Sequence, residues 1–297
     1  MEFDDRFQQA QRPKYDCLLF DLDDTLYPLN SGLSIGCLHN IEDYMVLKLG
    51  IEKSKISELG NLLYKNYGTT MAGLRAIGYD FDYDDYHGFV HGRLPYEKLK
   101  PDPVLRNLLL SLPLRKVIFT NADKVHAAKV LSKLGLEDCF EGIICFETLN
   151  PTDKNNVSSH DEVDSVFDAS MQTTTTGSEP FDIVGHFAQP NAGSQQLPRT
   201  PILCKPSEDA IEQALRIANI DPQRTIFFDD SVRNIQSGKR VGLHTVLVGT
   251  SQRPKGADFA LESIHNIREA LPELWEVEEK SEVRYSGKIA IETSVTA

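Results

Sequence analysis

Tyr15-Asp16-Cys17-Leu18-Leu19-Phe20-Asp21-Leu22-Asp23-Asp24-Thr25-Leu26 decides how this chain folds. Cys17 to Phe20 is a short apolar run that reads as a buried strand, and it stops abruptly at a carboxylate. Asp21 and Asp23 stand two apart, Thr25 follows at the same spacing, and Asp24 makes three acids within four residues. Such crowding is costly unless a cation or a solvated loop relieves the repulsion. Open α/β sheets hold ligands at the carboxyl ends of their parallel strands, which favours a cation over a plain polar turn.

At 297 residues, 40% hydrophobic and 25% charged, the chain reads as one large globular domain or two. A formal charge of -13 disfavours nucleic acid or an anionic membrane as the main partner. An acidic chain that handles anionic substrates needs a local positive centre, either a metal or a few placed Lys and Arg. Cys17, Cys37, Cys139, Cys145 and Cys204 show no zinc-like spacing and suit a reducing compartment. Met1 to Lys14 has neither a signal-peptide core nor transit character, and no segment reaches the ~18 apolar residues of a membrane span. The expected location is the cytoplasm, either alone or shared with the nucleus.

Beyond Leu26, residues 29–93 read as a small helical cap, with Leu38, Ile41, Met45 and Leu49 at helical spacing. Ser54 is expected to cap the second of its four helices, and Tyr83 to His91 to form the last. Lys116 to Phe119, Gly142 to Phe146, Thr225 to Phe228 and His244 to Val248 read as further strands, with an edge strand near Asp258 to Leu261. Residues 150–200 change character, with a threonine run at Thr173 to Thr176, and read as a weakly ordered insertion in which only Phe181 to Val184 suggests a strand. The tail from Glu276 reads as loose. Strand–helix alternation predicts an α/β, Rossmann-like, doubly wound parallel sheet over 1–28 and 94–275, with the cap inserted after the first strand.

Four signals then fall at strand ends or just ahead of helices: Asp21/Asp23/Thr25, Thr120-Asn121, Lys205-Pro206 and Asp229-Asp230. Each alone is commonplace, while together and in this order they mark one site. The ordered set resembles the four motifs of the haloacid dehalogenase-like hydrolase superfamily. The resemblance implies that Asp21 is a nucleophile towards phosphorus and that Asp23 is the acid/base. It implies Mg²⁺ on Asp21, the Asp23 carbonyl and Asp229, with Asp230 a direct or outer partner. Thr120 and the amides near Asn121 would hold phosphoryl oxygens, and Lys205 would offset the Asp21 charge and touch the phosphate. Asn234 is expected to orient Asp230. Asp23 favours a phosphatase over a dehalogenase, since the dehalogenase branch lacks an acid at that place.

Substrate choice is expected from the cap and the site's edge, with Thr25, Asn121, Thr69, Thr70 and Arg93 as candidates. His87 and His91 stand four apart on a helix and read as a surface pair rather than a metal site. Residues 14–149 and 201–270 are similar to the pyrimidine 5'-nucleotidase-like branch of plants and fungi. That implies a nucleoside monophosphate such as UMP or CMP, acting in nucleotide metabolism. A sugar or pyridoxal phosphate, or a non-catalytic regulatory role, are the alternatives, and monomer and homodimer both stay open.

Overall fold

The computed structural model describes residues 14–151, 179–188 and 196–275. Six parallel strands form one sheet in the order β3-β2-β1-β4-β5-β6: β1 Cys17–Phe20, β2 Arg115–Phe119, β3 Gly142–Ile144, β4 Thr225–Asp229, β5 His244–Val248 and β6 Phe259–Leu261. This is the doubly wound α/β arrangement, and its strand order reverses between β1 and β4, where such folds open a crevice for ligands.

The central strands are apolar along both faces because helices cover both. Leu18, Phe20, Ile118 and Phe228 pack to one side, against the helices Pro103–Leu110 and Lys124–Leu134. Cys17, Leu19, Phe119 and Phe227 face the other, against Ile211 and Leu215 of Glu208–Ile217 and Ile235 of Val232–Val241. The Phe20 and Phe228 rings stack at 4.6 Å across β1 and β4, tying the two strands that carry the site.

Four helices, Leu33–Leu47, Ile56–Tyr67, Thr70–Ala76 and Tyr83–Val90, lie between β1 and β2 in sequence. Their buried residues, including Tyr44, Met45, Leu63 and Leu74, form a third apolar cluster that takes in Phe146, Ile202 and Cys204 from the rest of the chain. Gly68 sits where the two parts meet, at φ +88, and a Cβ there would lie 2.5 Å from the Lys205 carbonyl oxygen. Only glycine allows both that backbone conformation and that approach.

Local readings differ from the structure at three places. Ser54 does not cap a helix: its hydroxyl bonds Glu52, and a 3-10 turn at Lys53–Lys55 leads straight into Ile56–Tyr67. The third strand stops at Ile144, because the Cys145 amide is bound by the Thr148 hydroxyl and a short helix, Phe146–Leu149, begins. Phe181 to Val184 is not a strand, since Ile183–Ala188 is helical and the Phe181 amide bonds the Ile77 carbonyl. Residues 152–178 and 189–195, with most of the expected insertion, and the tail from Glu276 lie outside the described residues.

Candidate active site

Strand register builds the site. Phe20 pairs with Phe228 on one side and Ile118 on the other, so the next residue, Asp21, stands level with Asp229 and Phe119. Carboxylates 208 positions apart in the sequence are thereby neighbours across the reversal of strand order. Oxygens of Asp21, Asp229 and Asp230 all lie within 4.8 Å of one another, the first two buried and the third exposed. Burial pushes the Asp21 carboxyl well above the usual range, with Asp229, Asp230 and Asp23 adding to it and Lys205 opposing. Although the residue as a whole is exposed, its carboxyl is turned inward, and that desolvation together with the neighbouring Asp229 brings Asp230 up to about 7.

The Lys205 ammonium, only 1% exposed, sits among these acids. It donates to Asp21 Oδ1 at 2.7 Å, Asp229 Oδ2 at 2.8 Å and the Phe119 carbonyl at 2.7 Å. Burial lowers its proton affinity, but the two carboxylates more than reverse this and hold it protonated. An ammonium has three N–H bonds, and all three are matched here. In this geometry Lys205 balances the Asp21 and Asp229 carboxylates.

Asn121 is likewise turned to another task. Its amide bonds both backbone groups of Lys205, accepting from the nitrogen at 2.8 Å and donating to the carbonyl at 3.0 Å. It clamps the lysine rather than offering its side chain to substrate. Thr25 is buried and donates to Asp21 Oδ2 at 3.1 Å, which fixes that carboxylate. Asn234 orients Asp229, at 2.9 and 3.1 Å, not Asp230. Arg93 is exposed, paired with Asp43 and laid over the Phe89 ring, away from the strand ends.

A cavity of 300 Å³ opens over this constellation, lined by Asp21, Asp23, Thr120, Asn121, Lys205 and Asp230 among others. Thr69 and Thr70 reach its wall from the helical insert, although Thr69 also caps its own helix by accepting from the Ala72 amide at 3.1 Å. The Thr120 hydroxyl oxygen accepts from the Ala122 amide at 3.0 Å.

Asp23 belongs to a network that the sequence reading missed. Its Oδ1 lies 2.7 Å from His126 Nε2 and accepts from the Tyr27 hydroxyl at 2.5 Å. The other ring nitrogen of His126 meets the Tyr96 hydroxyl at 2.8 Å. Burial raises the Asp23 carboxyl, but His126 and Tyr27 outweigh it and bring the group down to about 2. Burial lowers His126, and Asp23 more than compensates, so its proton affinity ends above the ordinary value.

His91 and His87 are not a surface pair. Their rings stack at 5.6 Å, His91 binds the Asp123 carboxylate, and its ring lies 4.5 Å from that of His126. His87 is buried against Phe146. Burial brings its imidazole down to about 4, with His91 adding to the shift. The folded protein thus keeps His87 neutral where an unfolded histidine, with a pKa near ~6.5, takes up a proton. Stability from this source is complete above about pH 6.5 and is lost as the pH falls towards 4, on the order of 3 kcal/mol by linkage. Urea unfolding at pH 7 and pH 4.5 should show His87→Leu losing that much less than wild type across the interval. An equal acid loss in both would refute the assignment.

The family profile described as "Haloacid dehalogenase-like hydrolase" matches residues 192–248, the stretch that carries both Lys205 and Asp229. Over that stretch the chain is similar to the haloacid dehalogenase-like hydrolases. "Phosphate metabolism protein 8" of Saccharomyces cerevisiae is 30% identical over 139 residues, which is 44% of this chain and 43% of the yeast protein. The aligned part thus spans less than half the length of that curated relative. The structure of CbbY from Rhodobacter sphaeroides in complex with phosphate overlays with a TM-score of 0.50 at 15% identity, over 88% of this chain and 99% of CbbY. That likeness establishes the fold. An HAD phosphatase from Thermococcus onnurineus is similar at a TM-score of 0.49 and 16% identity, over 86% of this chain and 96% of its own. No helix among the described residues is long and apolar enough to cross a membrane.

Proposed function

We propose that this chain is a Mg²⁺-dependent phosphomonoesterase working through an aspartyl-phosphate, with a pyrimidine nucleoside 5'-monophosphate as substrate. The observation that carries the reading is the pairing of Asp21 with Asp229 around Lys205, beside a separate acid, Asp23, held by a histidine.

The acidic oxygens of Asp21, Asp229 and Asp230 suit a hard divalent cation, and two buried carboxylates beside a third, exposed one favour it. Mg²⁺ bound there would neutralise charge on the phosphoryl oxygens. Asp21, fixed by Thr25 and Lys205, attacks phosphorus as the ester oxygen departs, which splits one difficult displacement into two easier ones. Thr120, whose oxygen already accepts from Ala122, keeps its hydroxyl proton for a phosphoryl oxygen.

The proton for the departing alcohol comes from the Asp23–His126 pair. Asp23 alone, held down to about 2, is a poor store of that proton, whereas His126 retains one and lies 2.7 Å away. After the alcohol leaves, the same pair takes a proton from the water that hydrolyses the aspartyl-phosphate.

The direct experiment is inorganic phosphate release from nucleoside, sugar and pyridoxal monophosphates, with Mg²⁺ and with EDTA. Release that needs Mg²⁺ and is fastest on UMP or CMP is expected, and silence across the panel would end the proposal. His126→Asn should lower kcat on alkyl phosphates by roughly 10²- to 10⁴-fold, the usual contribution of general acid catalysis. Hydrolysis of p-nitrophenyl phosphate, whose leaving group needs no proton, should fall far less. Equal losses on both substrates would show that His126 only supports the fold.

A further inference from the structure

We propose that the alcohol half of the substrate carries no second anionic group, and that it is seated in a largely apolar cavity of 580 Å³ beneath the helical insert. This rests on the phosphate-ester reading above and adds where the alcohol half sits and which charge its walls refuse.

The cavity adjoins the phosphoryl side of the site. Asp23 and His91 line both spaces, and His126 lines this one. A group that protonates the departing oxygen must lie within hydrogen-bond reach of it. With Asp21 and Thr120 on the phosphoryl side, the alcohol therefore extends past Asp23 and into this cavity. Its size falls within the roughly 300–1,000 Å³ usual for small-molecule sites.

The walls select by charge. Leu33, Cys37, Ile41, Met45, Ile56 and Leu94 supply an apolar lining from two helices of the insert and from the return to β2. Among the described residues no lysine or arginine lines the space, and Glu42 adds a further acid to Asp23. The two histidines are already held by carboxylates, His91 by Asp123 and His126 by Asp23. A second phosphate or a carboxylate would lose its water here, meet no free cation and face Glu42, an arrangement that buried charges avoid. A neutral body meets apolar walls instead, with Ser57 and Asn61 at the exposed rim able to bond an amide or hydroxyl edge. A nucleoside, neutral with one flat face and a polar edge, fits this description, and a sugar bisphosphate does not.

Gly60 offers a way to test the cavity itself. It lies on its wall, within the helix Ile56–Tyr67, and a Cβ there meets nothing within 4 Å. Gly60→Phe would therefore project a ring into the space without a backbone clash, and it removes a helix-weakening residue.

The experiment uses matched pairs: uridine 5'-monophosphate against uridine 3',5'-bisphosphate, and 2-naphthyl phosphate against its 6-carboxy derivative. Each pair is measured as kcat/KM with the wild-type chain and as calorimetric Kd with Asp21→Asn, both with Mg²⁺ present. The member whose alcohol half is uncharged should be preferred by about tenfold or more in both measurements, the scale on which a pocket discriminates. Gly60→Phe should lower the ratio of kcat/KM for 2-naphthyl phosphate over methyl phosphate by about tenfold, and weaken binding of the naphthyl ester to Asp21→Asn in step. Equal or reversed preference, or a naphthyl ester indifferent to Gly60→Phe, overturns the inference. Phosphate release without charge preference leaves the hydrolase reading standing and removes this one. Charge-selective binding with no release from any ester does the opposite, and neither binding nor release overturns both.

Discussion

If the proposed phosphomonoesterase reading holds, Asp21→Asn should lower phosphate release on the order of 10⁴- to 10⁶-fold, the scale seen when a covalent nucleophile is removed. The substitution is close to isosteric, so little else should change. Asn keeps an oxygen to accept from Lys205, where Asp21 Oδ1 now accepts at 2.7 Å. Its nitrogen replaces the oxygen to which Thr25 donates, and the threonine hydroxyl can rotate to accept instead. The crowding of Asp21 with Asp229, Asp230 and Asp23 is relieved, while Lys205 loses one of two ionic partners. These effects oppose each other, so urea unfolding should place the variant within about 1 kcal/mol of wild type, as for a substitution that opens no cavity. Phosphate release by a colorimetric assay, next to that unfolding curve, separates lost chemistry from lost fold. A well-folded Asn variant that still turns over would remove Asp21 from the nucleophile role.

What the sequence made readable was the sheet and the acids that end its strands. Cys17 to Phe20 and Thr225 to Phe228 are continuous apolar runs that stop at carboxylates, a pattern that buried parallel strands force on a chain. Side-chain tasks were harder to read. Asn121 and Lys205 lie 84 residues apart, and only the folded geometry shows that the amide of one clamps the backbone of the other. His126 left a signal that went unread. Asp123 follows the Thr120-Asn121 strand end and caps the helix Lys124–Leu134 by accepting from the Val125 and His126 amides. A histidine in the first turn of a helix that starts at the strand ends is placed to look back at the site. The reading of His87 and His91 failed for another reason. Spacing shows that two residues share a helix face but not what covers it, and here Phe146 and Asp123 arrive from beyond β2.

Lys205→Met destabilises the chain by about 3–5 kcal/mol, the cost of removing one partner from a buried ion pair. Methionine fills most of the volume, so a packing defect contributes little. The loss comes from Asp21 and Asp229, which are left facing one another with no cation among them while Thr25 and Asn234 still hold them in place. Lys205→Arg would not repair this, because a planar fork cannot enter a space where one nitrogen meets three acceptors at 2.7–2.8 Å. A divalent cation supplies the same missing positive charge. Added Mg²⁺ should therefore raise the unfolding midpoint of Lys205→Met in urea by more than that of wild type, through mass action on the folded state. If the two proteins respond to Mg²⁺ equally, or if Lys205→Met is as stable as wild type without it, the lysine is not what holds these carboxylates together.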